Sequence, residues 1–144
     1  MNVVNHVGHC VTDLDRSRRF YESVFGFRAV RDLAVPDEPA SRLLRVPPPV
    51  GLTAVYLELG GTVLELLHFD RPADGPARDR TFTEPGLTHL SFTVDDVAAT
   101  CALVEEHGGT VLADTDVGGL AIMVQDPDGQ LLELLPVSDR AGRA

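Results

Sequence analysis

Hydrophobic and polar positions along the chain follow one short pattern that occurs twice. From Gly86 to Val97, strict alternation places His89, Ser91 and Thr93 on one face of a strand and Leu90, Phe92 and Val94 on the other, the period-two signature of a half-buried strand. Asp95 and Asp96 can then cap a helix whose apolar positions are Val97, Cys101 and Val104, with Gly108 and Gly109 as its stop signal. The same unit opens the chain. His6 falls in a strand expected over about Val3 to Val11, Thr12-Asp13-Leu14 caps a helix with Leu14, Phe20, Tyr21 and Val24 apolar, and Gly26 stops it. His6 and Gly26 are 20 positions apart, as are His89 and Gly109.

A second pair of segments extends the match. Gly61 to Leu67 reads GTVLELL and Gly129 to Leu135 reads GQLLELL, with glycine four positions before glutamate in both. Such self-similarity marks an internal duplication. The interval from His6 to Glu65 exceeds that from His89 to Glu133, and the surplus is assigned to the proline-rich stretch Ala34 to Gly51. Pro36, Pro39, Pro47, Pro48 and Pro49 there are expected to exclude a central strand or helix, and a lid over a cavity and a plain surface insertion are equally good readings of it. A short strand is expected before it, over about Phe27 to Leu33.

The hairpin after the insertion has a derivable register. Thr53 to Leu59 and Thr62 to Phe69 flank Gly60-Gly61, a two-residue turn suited to positive φ, so Leu59 opposes Thr62, Tyr56 opposes Glu65 and Glu58 opposes Val63. In the second copy the turn is read as Asp126-Pro127-Asp128-Gly129, with Gln125 opposite Gln130 and Ile122 opposite Glu133. The organisation expected is one domain over 1–144, with a first module at 3–70, a linker at 71–85 rich in Pro, Arg and Asp, and a second module at 86–137. The tail from Ser138 to Ala144 is expected to fray.

Composition narrows the partners. With 144 residues and 44% hydrophobic content the chain can bury a core, folding alone or as a dimer. A formal net charge of −10 argues against nucleic acid or an anionic membrane surface, which need clustered Lys and Arg. The one basic cluster, Arg16, Arg18 and Arg19, reads as a solvated helix face. Cys10 and Cys101 have no zinc-ribbon or CxxC spacing and read as small buried hydrophobes in a reducing compartment. The opening MNVVNHVGH has no leader pattern, and no apolar run approaches the ~18–20 residues of a membrane span, so a cytoplasmic location is expected.

Each copy contributes one histidine on its first strand and one glutamate on its last. A glutamate inside Leu64-Glu65-Leu66-Leu67 or Leu132-Glu133-Leu134-Leu135 is costly to bury unless it is paired or binds a metal. Two imidazoles and two carboxylates brought together by pseudo-symmetry would suit one divalent Fe, Co, Ni, Mn or Zn ion. Taken singly, any of the four is better read as a satisfied strand residue; recurrence in both copies favours a site. His9 and His107 have no counterparts and are expected at the surface, and His68 faces away from Glu65.

The run His6-Val7-Gly8, Asp13-Leu14-Asp15-Arg16-Ser17, Phe20-Tyr21 and Phe25-Gly26-Phe27, with His89 ahead of Val94-Asp95-Asp96-Val97 and Asp126-Pro127-Asp128-Gly129 ahead of Glu133, resembles the vicinal oxygen chelate superfamily. This group includes glyoxalase I, methylmalonyl-CoA epimerase, extradiol dioxygenases and bleomycin-resistance proteins. The resemblance implies an α+β fold of two tandem βαβββ modules, each a curled half-barrel of mixed sheet, around a metal-binding cleft. Carried over position by position, the metal ligands would be His6, Glu65, His89 and Glu133.

The implied activity is an isomerase, epimerase or lyase acting on a small molecule with vicinal oxygens, through metal-assisted proton transfer and an enediolate. Glu65 or Glu133 would move the proton, and Tyr56 would donate to or orient it; Asp37 and Glu38 are weaker candidates. Two His and two Glu resemble glyoxalase I, and a fourth protein oxygen disfavours the alternative, an Fe(II)-dependent dioxygenase. A metal-free drug-binding or metabolite-binding protein is the third reading, and the filled ligand positions count against it. A homodimer is the expected assembly.

Overall fold

A computed structural model describes residues 1–71, 73 and 81–137. The frayed tail expected from Ser138, and most of the linker expected from Arg71 to Pro85, lie outside the described residues. The chain divides into two compact units, Met1–Gly75 and Pro76–Ala144. The first contains β1 (Val7–Cys10), α1 (Leu14–Phe25), β2 (Arg28–Val35), α2 (Asp37–Leu44), β3 (Leu52–Leu59) and β4 (Thr62–Phe69). The second contains β5 (Leu90–Val94), α3 (Val97–Glu106), β6 (Thr110–Leu112), a 3-10 turn (Ala113–Thr115), β7 (Ile122–Gln125) and β8 (Leu131–Pro136).

Both units build a four-stranded mixed sheet in the same order, β1-β4-β3-β2 and β5-β8-β7-β6. In each the first strand runs parallel to the last and the other pairings are antiparallel. The fold is therefore α+β, and the internal repeat seen in sequence is a repeat of topology. Local chemistry explains the helix ends. Asp13 accepts the Arg16 N–H and Asp96 the Ala99 N–H, both at 2.9 Å, satisfying donors that a helix start leaves open. Gly26 ends α1 at φ 80°, where the Gly26 N–H reaches Glu22 O and the Phe27 N–H reaches Tyr21 O.

Each sheet has one face packed on its helix. In the first unit α1 buries Phe20, Tyr21 and Val24, while β3 and β4 bury Val55, Leu57, Leu64 and Leu66. In the second, Val104 of α3 is buried, as are Ile122, Val124, Leu132 and Leu134 of β7 and β8. Alternation places Gly8, Cys10, Tyr56 and Glu65 on the opposite face of the first sheet. Cys10 is consequently exposed rather than buried as its sequence context implied, while Cys101 is half-buried.

Two further expectations fail for identifiable reasons. The proline-rich stretch forms a helix, α2, because Pro36 is its N-cap and Pro39 lies in its first turn, where the missing N–H has no intrahelical partner to lose. The segment is tied down: Asp37 Oδ1 accepts the N–H groups of Val50 and Gly51 at 3.0 and 3.1 Å. Ala40, Val50 and Leu52 form a buried cluster with Val35, Val46, Leu67 and Phe69.

The second hairpin is shifted by one residue, so that Met123, and not Ile122, lies opposite Glu133. The cause is Asp126, which is 2% exposed and accepts the N–H groups of Asp128 and Gln130 at 2.9 Å. Asp126 N–H donates to Gln130 O and Gly129 N–H to Asp126 O, so the ladder runs one step further and the loop is Pro127-Asp128-Gly129. Gly129 at φ 89° fits the three-residue hairpin geometry. The first hairpin has the register derived from sequence, including Tyr56 opposite Glu65.

Candidate functional site

The open face of the first sheet centres on Glu65, whose side chain is 12% exposed. β1 runs beside β4 with Gly8 opposite Glu65, and His6, just before β1, reaches the carboxylate from the same face. His6 Nε2 stands 2.9 Å from Glu65 Oε2, and Tyr56 O–H donates to Glu65 Oε1 at 2.8 Å. The His6 and Tyr56 rings meet edge to face, 5.5 Å apart. His6 Nδ1 is 2.6 Å from Asn5 Oδ1. With Nδ1–H donated to that carbonyl, a neutral ring turns its Nε2 lone pair toward the Glu65 carboxylate. Two electron-rich atoms so placed call for a cation, a proton or a metal ion, to bind them together.

The second sheet repeats the pair in looser form. His89 Nε2 lies 4.0 Å from Glu133 Oε2, and the two side chains are equally exposed. Ser91, opposite Glu133 on β5, donates its O–H to Glu133 Oε1 at 2.6 Å. His89 Nδ1 contacts Thr88 Oγ1 at 2.8 Å, and the ring packs against Phe82. Each carboxylate thus accepts one hydroxyl, from the neighbouring strand on opposite sides: β3 supplies Tyr56 in the first unit, β5 supplies Ser91 in the second. Met123 occupies the place equivalent to Tyr56.

Thus His6, Glu65 and Tyr56 come together, as do His89 and Glu133. Among the described residues no group of three or more His, Cys, Asp or Glu side chains stands close enough to hold a metal ion. Asp37 is committed to backbone N–H groups and Glu38 to an ion pair with Arg42. His9 is half-buried with its ring against Tyr21 instead of lying at the surface, His107 is the half-buried C-cap of α3, and His68 lies on the other face from Glu65. Sequence reasoning missed Ser91 as the partner of Glu133, although its alternation with His89 and the parallel pairing of first and last strands together carry that signal. It also missed Arg31, whose guanidinium carbon lies 5.8 Å from the centre of the Tyr56 ring.

Burial pushes the Tyr56 phenol above its ordinary pKa, the hydrogen bond to Glu65 and that carboxylate's charge push the same way, and Arg31 opposes them. A raised folded-state value means a stabilising contribution fully present below the unfolded tyrosine value of about 10 and lost as pH rises through the folded value. Thermal melts from pH 9 to 11.5 should therefore show stability falling at the alkaline end. Tyr56→Phe should flatten that fall, and an identical fall in both proteins would contradict the coupling. Burial, followed by Glu105 and Asp116, likewise raises the Cys101 thiol, which keeps it protonated and unreactive.

Among the described residues no helix is long and apolar enough to cross a membrane. Residues 3–134 match the family model described as the Glyoxalase/Bleomycin resistance protein/Dioxygenase superfamily. Lactoylglutathione lyase of Schizosaccharomyces pombe is 30% identical over 98% of the chain, which spans 49% of that protein. Mitochondrial methylmalonyl-CoA epimerase of Bos taurus is 26% identical over 77% of the chain and 57% of its own length. The crystal structure of the trypanothione-dependent glyoxalase I of Leishmania major superposes with a TM-score of 0.70 at 26% identity, covering 99% of this chain and 92% of that one. With the strand order, the repeat and the matched residues in agreement, the chain belongs to the glyoxalase/bleomycin resistance protein/dioxygenase superfamily.

Proposed function

We propose that the protein is a metal-dependent enzyme that binds a small substrate through two neighbouring oxygens and moves a proton on the carbon beside a carbonyl. The observation that carries this reading is the His6, Glu65 and Tyr56 constellation on an open sheet face. His6 Nε2 and Glu65 Oε2, 2.9 Å apart, are nitrogen and oxygen donors of the kind that a shared divalent ion would accept. Asn5, paired with the other ring nitrogen, is the kind of partner that orients a ligating imidazole. His6, Glu65, His89 and Glu133 would hold the ion, of the Fe, Co, Ni, Mn or Zn type. When bound, it would polarise a substrate carbonyl and stabilise negative charge.

The chain's own groups divide the remaining work. Tyr56 holds one oxygen of Glu65 and His6 faces the other, which would make that carboxylate an anchor for the shared ion. Glu133 is held at one oxygen by Ser91 and its Oε2 stands 4.0 Å from His89, which supports a role for Oε2 in taking and returning the proton. An epimerase and a lyase of the kinds named among the relatives both fit a step of this class.

Elemental analysis of protein purified without added metal, repeated on His6→Ala and His89→Ala, tests the proposal. About one divalent ion per chain in the parent and loss in both variants is expected. Absence of metal under every loading condition would overturn it.

A further inference from the structure

The first sheet has a discontinuity that the repeat does not share. β2 pairs with β3 as Arg28 with Glu58 and Ala29 with Leu57, then skips a residue, so that Arg31 pairs with Tyr56. Side chains three apart on a regular strand point to opposite faces. The extra residue, Val30, brings Arg28 and Arg31 to the same face. That face carries Glu65 and Tyr56, and the next residue, Asp32, turns to the other side toward Arg18. One row of the sheet accordingly reads Gly8, Glu65, Tyr56, Arg31 across β1, β4, β3 and β2. The equivalent row of the second sheet reads Ser91, Glu133, Met123, Leu112.

The two rows share the carboxylate and differ beyond it. Where the second has Met123 and Leu112, the first has a phenol and a guanidinium. Arg28 is engaged by Glu58 at 3.4 Å. Among the described residues no carboxylate pairs with Arg31, which rests on the Tyr56 ring at 5.8 Å. In a chain of formal charge −10, an arginine in the same row as the Glu65 carboxylate, with no acidic partner among the described residues, is a cation kept for something else. A guanidinium suits a planar, bidentate anion above all.

We infer that Arg31 binds an anionic group of the substrate, a carboxylate or a phosphate-type oxyanion, several bonds from the vicinal oxygens. The substrate class is thus a vicinal-oxygen compound carrying a distal negative charge, oriented so that the charge lies toward β2 and the vicinal oxygens toward Glu65. This inference rests on the proposed function for the identity of the reacting end, and on the register of β2 for the distal end. The bulge at Val30 is then the device that aims the specificity group.

Two acids make the test: 2-hydroxyglutarate, with a distal carboxylate, and 2-hydroxypentanoate, which keeps the vicinal oxygens and the chain length without it. Calorimetric titration into Mn(II)-loaded protein should show roughly tenfold or greater preference for 2-hydroxyglutarate, since a charge-assisted pair is lost in the other acid. The preference should vanish in Arg31→Gln, survive in part in Arg31→Lys, and persist in Arg28→Gln, with melting temperatures matching the parent. Equal affinity for the two acids, binding of neither, or a preference surviving Arg31→Gln would overturn the assignment, even where Mn(II) uptake upholds the metal site. An Arg31-dependent preference in protein that takes up no Mn(II) would uphold the assignment and sink the metal reading.

Discussion

A Glu133→Gln variant should fold normally and lose turnover by about 10²–10⁴-fold, the usual contribution of a positioned proton-transfer group. The amide keeps the shape of the side chain, an oxygen to accept from Ser91 and a weak metal donor, but has no basic oxygen. Glu65→Gln should act differently. Its carboxylate is gripped by Tyr56 at one oxygen and faces His6 at the other, so neutralising it should first weaken divalent-metal affinity, by about 10–100-fold. Steady-state kinetics at saturating metal beside metal titrations of each variant separate the two roles. Unchanged turnover in Glu133→Gln would remove it as the proton carrier, and equal metal affinities across the three proteins would remove Glu65 as the anchor.

Gly51→Ala should be the most damaging small substitution in the first unit, costing roughly 2–4 kcal/mol of unfolding free energy. Gly51 has φ 59°, which a residue with a Cβ adopts at a cost, and a Cβ there would collide with the Asp70 side chain. The backbone cannot move away freely. Gly51 N–H donates to Asp37, and Gly51 O accepts from Asp70 N–H at 3.1 Å, so shifting it disturbs the α2 segment and the end of β4 together. Denaturant melts check the size of the loss, and Asp70→Gly should restore the part due to collision while leaving the part due to φ. A loss below about 0.5 kcal/mol, within the range of an ordinary surface change, would refute the account.

Sequence periodicity sufficed wherever one local signal decided the structure. Asp13 and Asp96 mark helix starts, Gly26 marks a stop, and Gly60-Gly61 admits one pairing of its strands, from which Tyr56 beside Glu65 follows. It failed where an element depended on a partner distant in sequence. Prolines look like helix breakers until Pro36 and Pro39 are seen to occupy the one turn that tolerates them, held by an apolar cluster drawn from β2, β3 and β4. Asp126 is a different case: its partners are close by, at Asp128 and Gln130, but only its burial shows it as the brace that lengthens the ladder. The skipped pairing at Val30 has no local signature at all. Arg31 consequently could not be placed on the Glu65 face by counting residues.

The parity of the two hairpin loops has a consequence for how such a chain can drift or be redesigned. A two-residue loop in one unit and a three-residue loop in the other both place a carboxylate on the open face, because each length is matched to its own strands. Removing one residue from Pro127-Asp128-Gly129 would leave Asp126 opposite Gln130 across a two-residue loop, the length found at Gly60-Gly61, so Met123 would stay opposite Glu133. A change of length at that corner is therefore taken up in the loop and leaves the faces of β7 and β8 as they are. The insertion between β2 and β3 is the less forgiving place, because Asp37 and Gly51 tie α2 to the end of β4.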